Sequence, residues 1–289
     1  MFTCHADSVS TMEPRSDILD AARIAEHAGT GWDVEVVAET GSTNADLLAR
    51  CADEPCPGAV LVTEHQVAGR GRHGRVWTSP PGGHLAMSLA LDASHRGAMD
   101  RLGWIPLAMG VAVAQAVADV TGVRAGVKWP NDVMVDVVDT TTGEPVGRKV
   151  AGILAELAPG ARPCVVVGVG INTGLAEDEL PVPTATSLNL VSGEPVDRSH
   201  LAGAVVAALA DRLQDWPHAT ARIAERYRPL CTTLGRRVRV DLPGDRSITG
   251  TAVDIDVDGR VVVRSADGET AVAAGDVTHL RVQDDPPRA

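Results

Sequence analysis

The stretch Gly69-Arg70-Gly71-Arg72-His73-Gly74-Arg75-Val76-Trp77 constrains this chain more than any other. Its three glycines allow tight turning and a close backbone approach to a ligand. Its three arginines carry forks that match a carboxylate or a phosphate with paired hydrogen bonds. An apolar, β-rich run from Gly58 to Glu64 leads through His65 and Gln66 into the loop. Pro80-Pro81-Gly82-Gly83 follows and rules out an immediate helix. Gly69 to Gly74 therefore fits G-x-G-x-x-G in letters only, because a dinucleotide fold needs a helix directly after the glycines. With Val76 the stretch also spells a protein-kinase glycine loop. No His-Arg-Asp or Asp-Phe-Gly follows, and the sole phenylalanine is Phe2. P-loop, H-E-x-x-H and G-x-S-x-G patterns do not occur. From His65 to Leu91 there is no Asp or Glu, in a chain whose formal net charge is −12. A cationic, glycine-rich island in an acidic protein reads as a loop that closes over a small anion; the plain alternative is a solvated surface turn.

The 289 residues, 44% of them hydrophobic, suffice for one large core or a large and a small one. Aromatics are only 2%, so the interior rests on Val, Leu, Ile and Ala. The acidic balance and the shortage of stacking rings argue against a nucleic-acid surface. Cys4, Cys51, Cys56, Cys164 and Cys231 are odd in number and contain no C-x-x-C pair. That pattern predicts free thiols and a cytoplasmic protein. The N-terminus lacks the features of a signal peptide. No apolar run reaches membrane-spanning length without a charge or turn signal, so no membrane partner is expected.

Taken in order, residues 1–32 form an N-terminal segment with one short helix, Ser16 to Ala28, capped by Ser16 and followed by Gly29. Some thirty residues before the first strand, Asp33 to Ala38, leave no room for a DNA-binding domain. Gly41-Ser42-Thr43-Asn44 stands before Ala45-Asp46-Leu47-Leu48-Ala49. These small polar residues cap a helix, and the same hydroxyls and amide can bind polar ligand atoms. Leu85 to Leu91 is a strand. Leu102 to Val120 is a buried, alanine-rich helix with Trp104 in the core. In Val127-Lys128-Trp129-Pro130-Asn131-Asp132-Val133, Pro130 excludes a regular central strand. Lys128, Asn131 and Asp132 then project at a strand end, or the block is simply a turn. Asp136 to Gly147 reads as a polar, acidic hairpin loop, and Lys149 to Glu156 as a strand with Lys149 at its start. Cys164 to Ile171 is a strand whose Gly168 and Gly170 share one face. Something packs flat there, a helix or a planar ligand. After the acidic loop Glu177 to Pro183, order resumes at Thr186-Ser187-Leu188. Helices Asp197 to Trp216 and Ala219 to Arg228 close a large domain, 33–232. Five short β runs separated by Pro243-Gly244, Asp258-Gly259 and Asp267-Gly268 then suggest a small SH3-like barrel over 233–283, with a frayed tail at 284–289.

These blocks together carry a resemblance. Gly41-Ser42-Thr43-Asn44, Gln66, Gly69 to Trp77, Lys128 to Asp132, Lys149 to Glu156, Gly168 to Thr173 and Thr186-Ser187-Leu188 resemble those of the biotin protein ligases, also called biotin–[acetyl-CoA-carboxylase] ligases, over roughly residues 33–282. The short N-terminus resembles the monofunctional form, without a DNA-binding domain. The resemblance implies an α+β fold: a mixed, largely antiparallel sheet flanked by helices, like that of class II aminoacyl-tRNA synthetases, plus the SH3-like barrel.

It also implies a two-step reaction. Biotin and MgATP give biotinyl-5′-AMP, and the acyl group then passes to a lysine of a biotin carboxyl carrier domain of an acyl-CoA carboxylase. By the same resemblance Lys149, Arg70 and Arg72 are catalytic. Ser42, Thr43, Asn44, Gln66, Arg70, Gly71, Arg72, Lys149 and Gly152 line the biotin end. Arg72, Arg75, Trp77, Lys128, Asn131, Asp132 and Asn172 line the ATP and adenylate end, with Trp129 covering adenine-side surface. Asp132 orders the cations or holds magnesium. ATP, biotin and Mg2+ enter as substrates and activator, with no tightly bound prosthetic group, and the protein is expected to be a monomer or weak dimer. Two related readings stand beside this one: a lipoate-type carboxylate-activating ligase on the same fold, and a regulator that senses biotinyl-AMP.

Overall fold

The computed structural model describes residues 18–158, 162–214, 216–242, 246–273 and 276–279. Seven strands form one sheet: β1 (Asp33–Thr40), β2 (Ala59–Gln66), β3 (His84–Asp92), β4 (Ala125–Lys128), β5 (Asp132–Val138), β6 (Pro145–Ala158) and β7 (Cys164–Asn172). Their spatial order is β1-β2-β3-β7-β6-β5-β4. Only β1 and β2 run parallel, Asp33 opposite Ala59; every other neighbour pair is antiparallel. The sheet is mixed and largely antiparallel, as expected.

The two faces of the sheet differ in bulk. Side chains alternate along a strand, and β3 pairs with β7 from His84–Asn172 to Asp92–Cys164. One face thus presents Leu85, Met87 and Leu89 beside Val167, Val169 and Ile171, all buried. Helices α1 (Ala21–Ala28), α3 (Trp104–Thr121), α5 (Arg198–Leu213) and α6 (Thr220–Leu230) cover that face and build the main core with it. The other face presents Ala86 and Ser88 opposite Gly170 and Gly168. Helix α2 (Thr43–Asp53) covers part of it through Leu47 and Cys51, which pack on Leu61, Ala90, Cys164 and Val166. The short α4 (Leu188–Ser192) lies between β7 and α5 in sequence. Small residues on the second face leave a concavity beyond the start of α2.

Helix α3 has 18 residues and mean hydropathy 1.4, long and apolar enough by composition to cross a membrane. Twelve of the 18 are buried, from Trp104 to Val117, in the core described above. It ends at Gly122, whose φ of 71° takes the left-handed cap conformation.

The C-terminal strands β8 (Arg237–Leu242), β9 (Arg246–Ile255), β10 (Val261–Ser265), β11 (Gly268–Val272) and β12 (Asp276–His279) form a second antiparallel sheet in the order β11-β10-β9-β8-β12. The first of the five lies between the second and the fifth, the connectivity of an SH3-like barrel. The Trp104 indole Nε1 donates to Val257 O at 2.8 Å, the Trp129 Nε1 donates to Gly259 O at 3.0 Å, and Arg228 Nε donates to Asp254 Oδ1 at 2.8 Å. A Cβ on Gly103 would stand 2.6 Å from Asp258 O, so the two parts meet backbone to backbone there.

Three expectations change. Helix α1 starts at Ala21, because Asp20 caps it by accepting from the N–H groups of Ala22 and Arg23 at 2.8 and 3.2 Å; Ser16 lies outside the described residues. The hairpin loop expected over Asp136 to Gly147 is shorter than that, because β5 runs to Val138 and β6 begins at Pro145. Asp139 Oδ1 accepts from the N–H groups of Thr141 and Thr142 in the connecting turn. Lys149 consequently lies inside β6 rather than at its start.

Candidate active site

A cavity of about 620 Å³ opens on the small-residue face of the sheet. Every site residue singled out from the sequence borders it: Ser42, Thr43, Asn44, Gln66, Arg70, Gly71, Arg72, Arg75, Trp77, Lys128, Asn131, Asp132, Lys149, Gly152 and Asn172.

The start of α2 builds one end. Ser42 Oγ accepts from Ala45 N at 3.4 Å, so Ser42 both caps the helix and lines the cavity. Gln66 Oε1 accepts from Thr43 N at 3.0 Å and from Thr43 Oγ1 at 3.2 Å. Thr43 Oγ1 and Ser88 Oγ lie 2.7 Å apart, and Ser88 Oγ donates to Asn44 Oδ1 at 2.6 Å. Asn44 Nδ2 donates to Leu154 O at 3.1 Å and to Glu156 Oε2 at 2.9 Å. The chain Gln66–Thr43–Ser88–Asn44–Glu156 fixes the helix start against the sheet in a buried setting, where hydrogen-bonded networks are rigid and unpaired groups are costly. Sequence reasoning missed Ser88 and gave Glu156 no role. The available signal was that Ser88 is the one polar residue in the run Leu85 to Leu91.

The cationic loop closes on itself. Arg70 pairs antiparallel with Val76, Trp77 N donates to Gly69 O at 2.9 Å, and Gly71 N donates to Arg75 O at 2.6 Å. The turn is made by His73 (φ 57°) and Gly74 (φ 71°), both left-handed. Gly69 admits no side chain: a Cβ would lie 2.1 Å from Trp77 O. This small hairpin carries the Trp77 ring back over the sheet. A Cβ on Gly170 would stand 2.3 Å from the indole Nε1, and one on Gly168 would stand 2.1 Å from Asn44 Oδ1. The two glycines are therefore covered by α2 and by an indole of the chain itself.

Charge gathers at the other end. A β-bulge interrupts the β5/β6 pairing, with Val133 opposite Ala151 but Met134 opposite Lys149. Bulges re-aim side chains, and here Lys149 Nζ lies 2.5 Å from Asp132 Oδ1 and 5.4 Å from the centroid of the Trp77 ring. The Lys149 backbone is held by Thr184 O and Thr186 N at 2.8 and 2.9 Å. Arg72 Nη1 donates to Asn131 Oδ1 at 3.2 Å, and Asn131 Nδ2 donates to Ile153 O at 3.0 Å. Asn172 Nδ2 donates to Thr186 O at 2.9 Å. Trp129 also borders the cavity; it is 2% exposed, and its indole Nε1 bonds Gly259 O of the small domain. The small domain adds Asp241 and Val277 to the rim, which sequence order alone did not reveal.

Among the described residues, Arg70, Arg72, Arg75, Lys128 and Lys149 line this cavity with two carboxylates, Asp132 and Asp241. Such a wall holds a polyanion. Among the described residues no group of three His, Cys, Asp or Glu is placed to hold a metal ion. Asp132 is taken up in the ion pair with Lys149.

The fold and site together define an acid-activating ligase. Residues 38–172 match the Biotin/lipoate A/B protein ligase family, and residues 233–280 match the Biotin protein ligase C terminal domain. A biotin–[acetyl-CoA-carboxylase] ligase of Mycobacterium tuberculosis is 42% identical over 259 residues, covering 88% of this chain and 92% of that protein. The biotin protein ligase of Aquifex aeolicus in complex with biotin and ATP superposes with a TM-score of 0.70 at 26% identity, covering 86% of this chain and 99% of the other. The Leishmania major biotin protein ligase in complex with biotinyl-5-AMP gives 0.56 at 25% identity, covering 84% and 99%. The chain belongs to the biotin protein ligase family.

Proposed function

We infer that this chain is a biotin–[acetyl-CoA-carboxylase] ligase. The observation that carries the reading is the Lys149–Asp132 pair set beneath the Gly69–Trp77 hairpin, in a cavity walled by five cations. A carboxylate and a triphosphate repel each other. A site that joins them must neutralise both and align them.

The biotin carboxylate oxygen attacks the α-phosphorus of ATP. The new oxygen–phosphorus bond forms as the bond to the β-phosphate oxygen breaks, and pyrophosphate leaves. Lys149 stands where it can stabilise negative charge on carboxylate and α-phosphate, oriented by Asp132. Arg70 and Arg72 clamp the carboxylate and phosphate. Arg75, Lys128, Asn131 and Asn172 flank the nucleotide, whose magnesium travels on its phosphates. Thr43 is bonded to Gln66 and, through Ser88, linked to Asn44, and these residues with Ser42 face the ureido end of biotin. In the second step the ε-amine of a carrier lysine attacks the acyl carbon and AMP leaves, with the hairpin shielding the adenylate from water. The acceptor is a biotin carboxyl carrier domain. We place the protein in the cytoplasm, supported by the free thiols of Cys51, Cys56, Cys164 and Cys231, and as a monomer or weak dimer.

Exchange of labelled pyrophosphate into ATP tests the acid. The expected result is exchange that requires biotin. Exchange supported by lipoate and not by biotin would transfer the assignment to the lipoate-type ligases.

A further inference from the structure

At the end of α2 away from the cavity, three cysteines that ligation does not use come together. Cys51 lies in the last turn of α2 and is 5% exposed, and Cys164 opens β7 and is 1% exposed. Both belong to the small core beneath α2, and Cys56 packs against its edge. All three are free thiols. The Cys51 thiol interacts with those of both Cys56 and Cys164, and the Cys56 N–H faces the Cys51 and Cys164 sulfurs. Pro55 and Pro57 flank Cys56 and narrow its backbone freedom, which holds it in that place.

The three thiols are not equivalent. Burial, reinforced by the neighbouring thiols, pushes the Cys51 and Cys164 thiols up, so neither ionises readily. Cys56 is only half-buried, and the Arg50 guanidinium stands near enough to interact with its charge. A cation beside a reachable thiol favours the thiolate, which is the nucleophile. Among the described residues no group of three His, Cys, Asp or Glu is placed to hold a metal ion, so the cluster is read by its redox chemistry.

We propose that Cys56 and Cys51 form an oxidation site, at which a hydroperoxide converts the two thiols into a disulfide at the end of α2. The Cys56 thiolate attacks one peroxide oxygen, the oxygen–oxygen bond breaks, and the departing hydroxide takes up a proton to leave as water. Cys56 is then a sulfenic acid. The Cys51 sulfur attacks the Cys56 sulfur, the sulfur–oxygen bond breaks, and the hydroxide leaves as a second water with the Cys51 proton. The two sulfurs are oxidised and the peroxide is reduced. A small thiol reverses the step by exchange.

The test is hydrogen peroxide added to the full chain, followed by alkylation of the remaining thiols in denaturant and peptide mapping without reduction. Cleavage before Asp53 separates Cys51 from Cys56, so a bridge keeps the two peptides joined until dithiothreitol is added. We expect that bridge, with Cys164 and Cys231 alkylated. In Cys56→Ser, loss of the Cys51 thiol slows by about tenfold or more, because the attacking group is gone. The proposal is overturned if no bridge forms, if the bridge joins Cys51 to Cys164 or either cysteine to Cys4, or if the Cys51 thiol disappears as fast in Cys56→Ser as in the parent.

Discussion

At the scale of single residues, the site depends as much on missing side chains as on charged ones. Gly170 gives the Trp77 indole its seat, and Trp77 in turn lies beside the Lys149 ammonium, a cation–π placement. Gly170→Ala would push a methyl group into the ring at 2.3 Å and move the hairpin off the sheet. We predict that it lowers the adenylation rate, and that Trp77→Ala added to it lowers the rate little further, because both changes disturb one contact. A rate double-mutant cycle measures this; full additivity would dissociate the two residues. The pairing was half legible in the sequence. Two glycines at period 2 announced a flat partner, but only the fold shows that the partners are Asn44 and Trp77, more than ninety residues away. Trp129 shows a second limit: that its indole spans to Gly259 of the small domain while the residue also borders the cavity depends on a contact 130 residues along the chain.

At the scale of elements, the start of helix α2 and the hairpin form two walls of the cavity. The start of α2 is joined to the sheet through Ser88, which touches both Thr43 and Asn44. Ser88→Ala leaves both groups short of a partner in a buried site, so we predict destabilisation of about 1–3 kcal/mol. Urea unfolding measures it, and the KM for biotin should rise in the same variant. The hairpin was legible as a loop that the following prolines bar from helix, and its three arginines border the cavity as the sequence suggested. The strands were legible too, because β3 and β7 are continuous apolar runs typical of strands covered on both faces. Boundaries were less so. Asp20 caps α1 through one carboxylate oxygen that accepts from two N–H groups, and the polar hairpin of β5 and β6 lacks the alternation that marks a half-buried strand. The bulge that aims Lys149 follows from pairing between strands, which no local pattern encodes.

At the scale of the whole molecule, stability is tied to pH through His84. It is fully buried on β3, with Nδ1 bonded to Ser79 Oγ and Nε2 unpaired among the described residues. Burial, reinforced by His65 and Arg198, lowers its pKa from 6.5 to about 4. The unfolded chain binds this proton more readily than the folded one. Stability is therefore intact above pH 6.5, falls as pH drops from 6.5 towards 4, and loses about 3 kcal/mol in all from this group. Urea midpoints at pH 7 and pH 4.5 should show the fall, and His84→Gln should flatten it. An equally steep fall in that variant would assign the effect to other groups.

We propose that the chain activates a carboxylic acid as an adenylate at Lys149, under the arginine hairpin. The most direct measurement is the single-turnover rate of biotinyl-5′-AMP formation in Lys149→Ala beside the parent chain. We predict a loss of about 10²–10³-fold, the scale on which removal of one charge-stabilising donor acts. An unchanged rate would reduce Lys149 to a partner of Asp132 and overturn its role in adenylation.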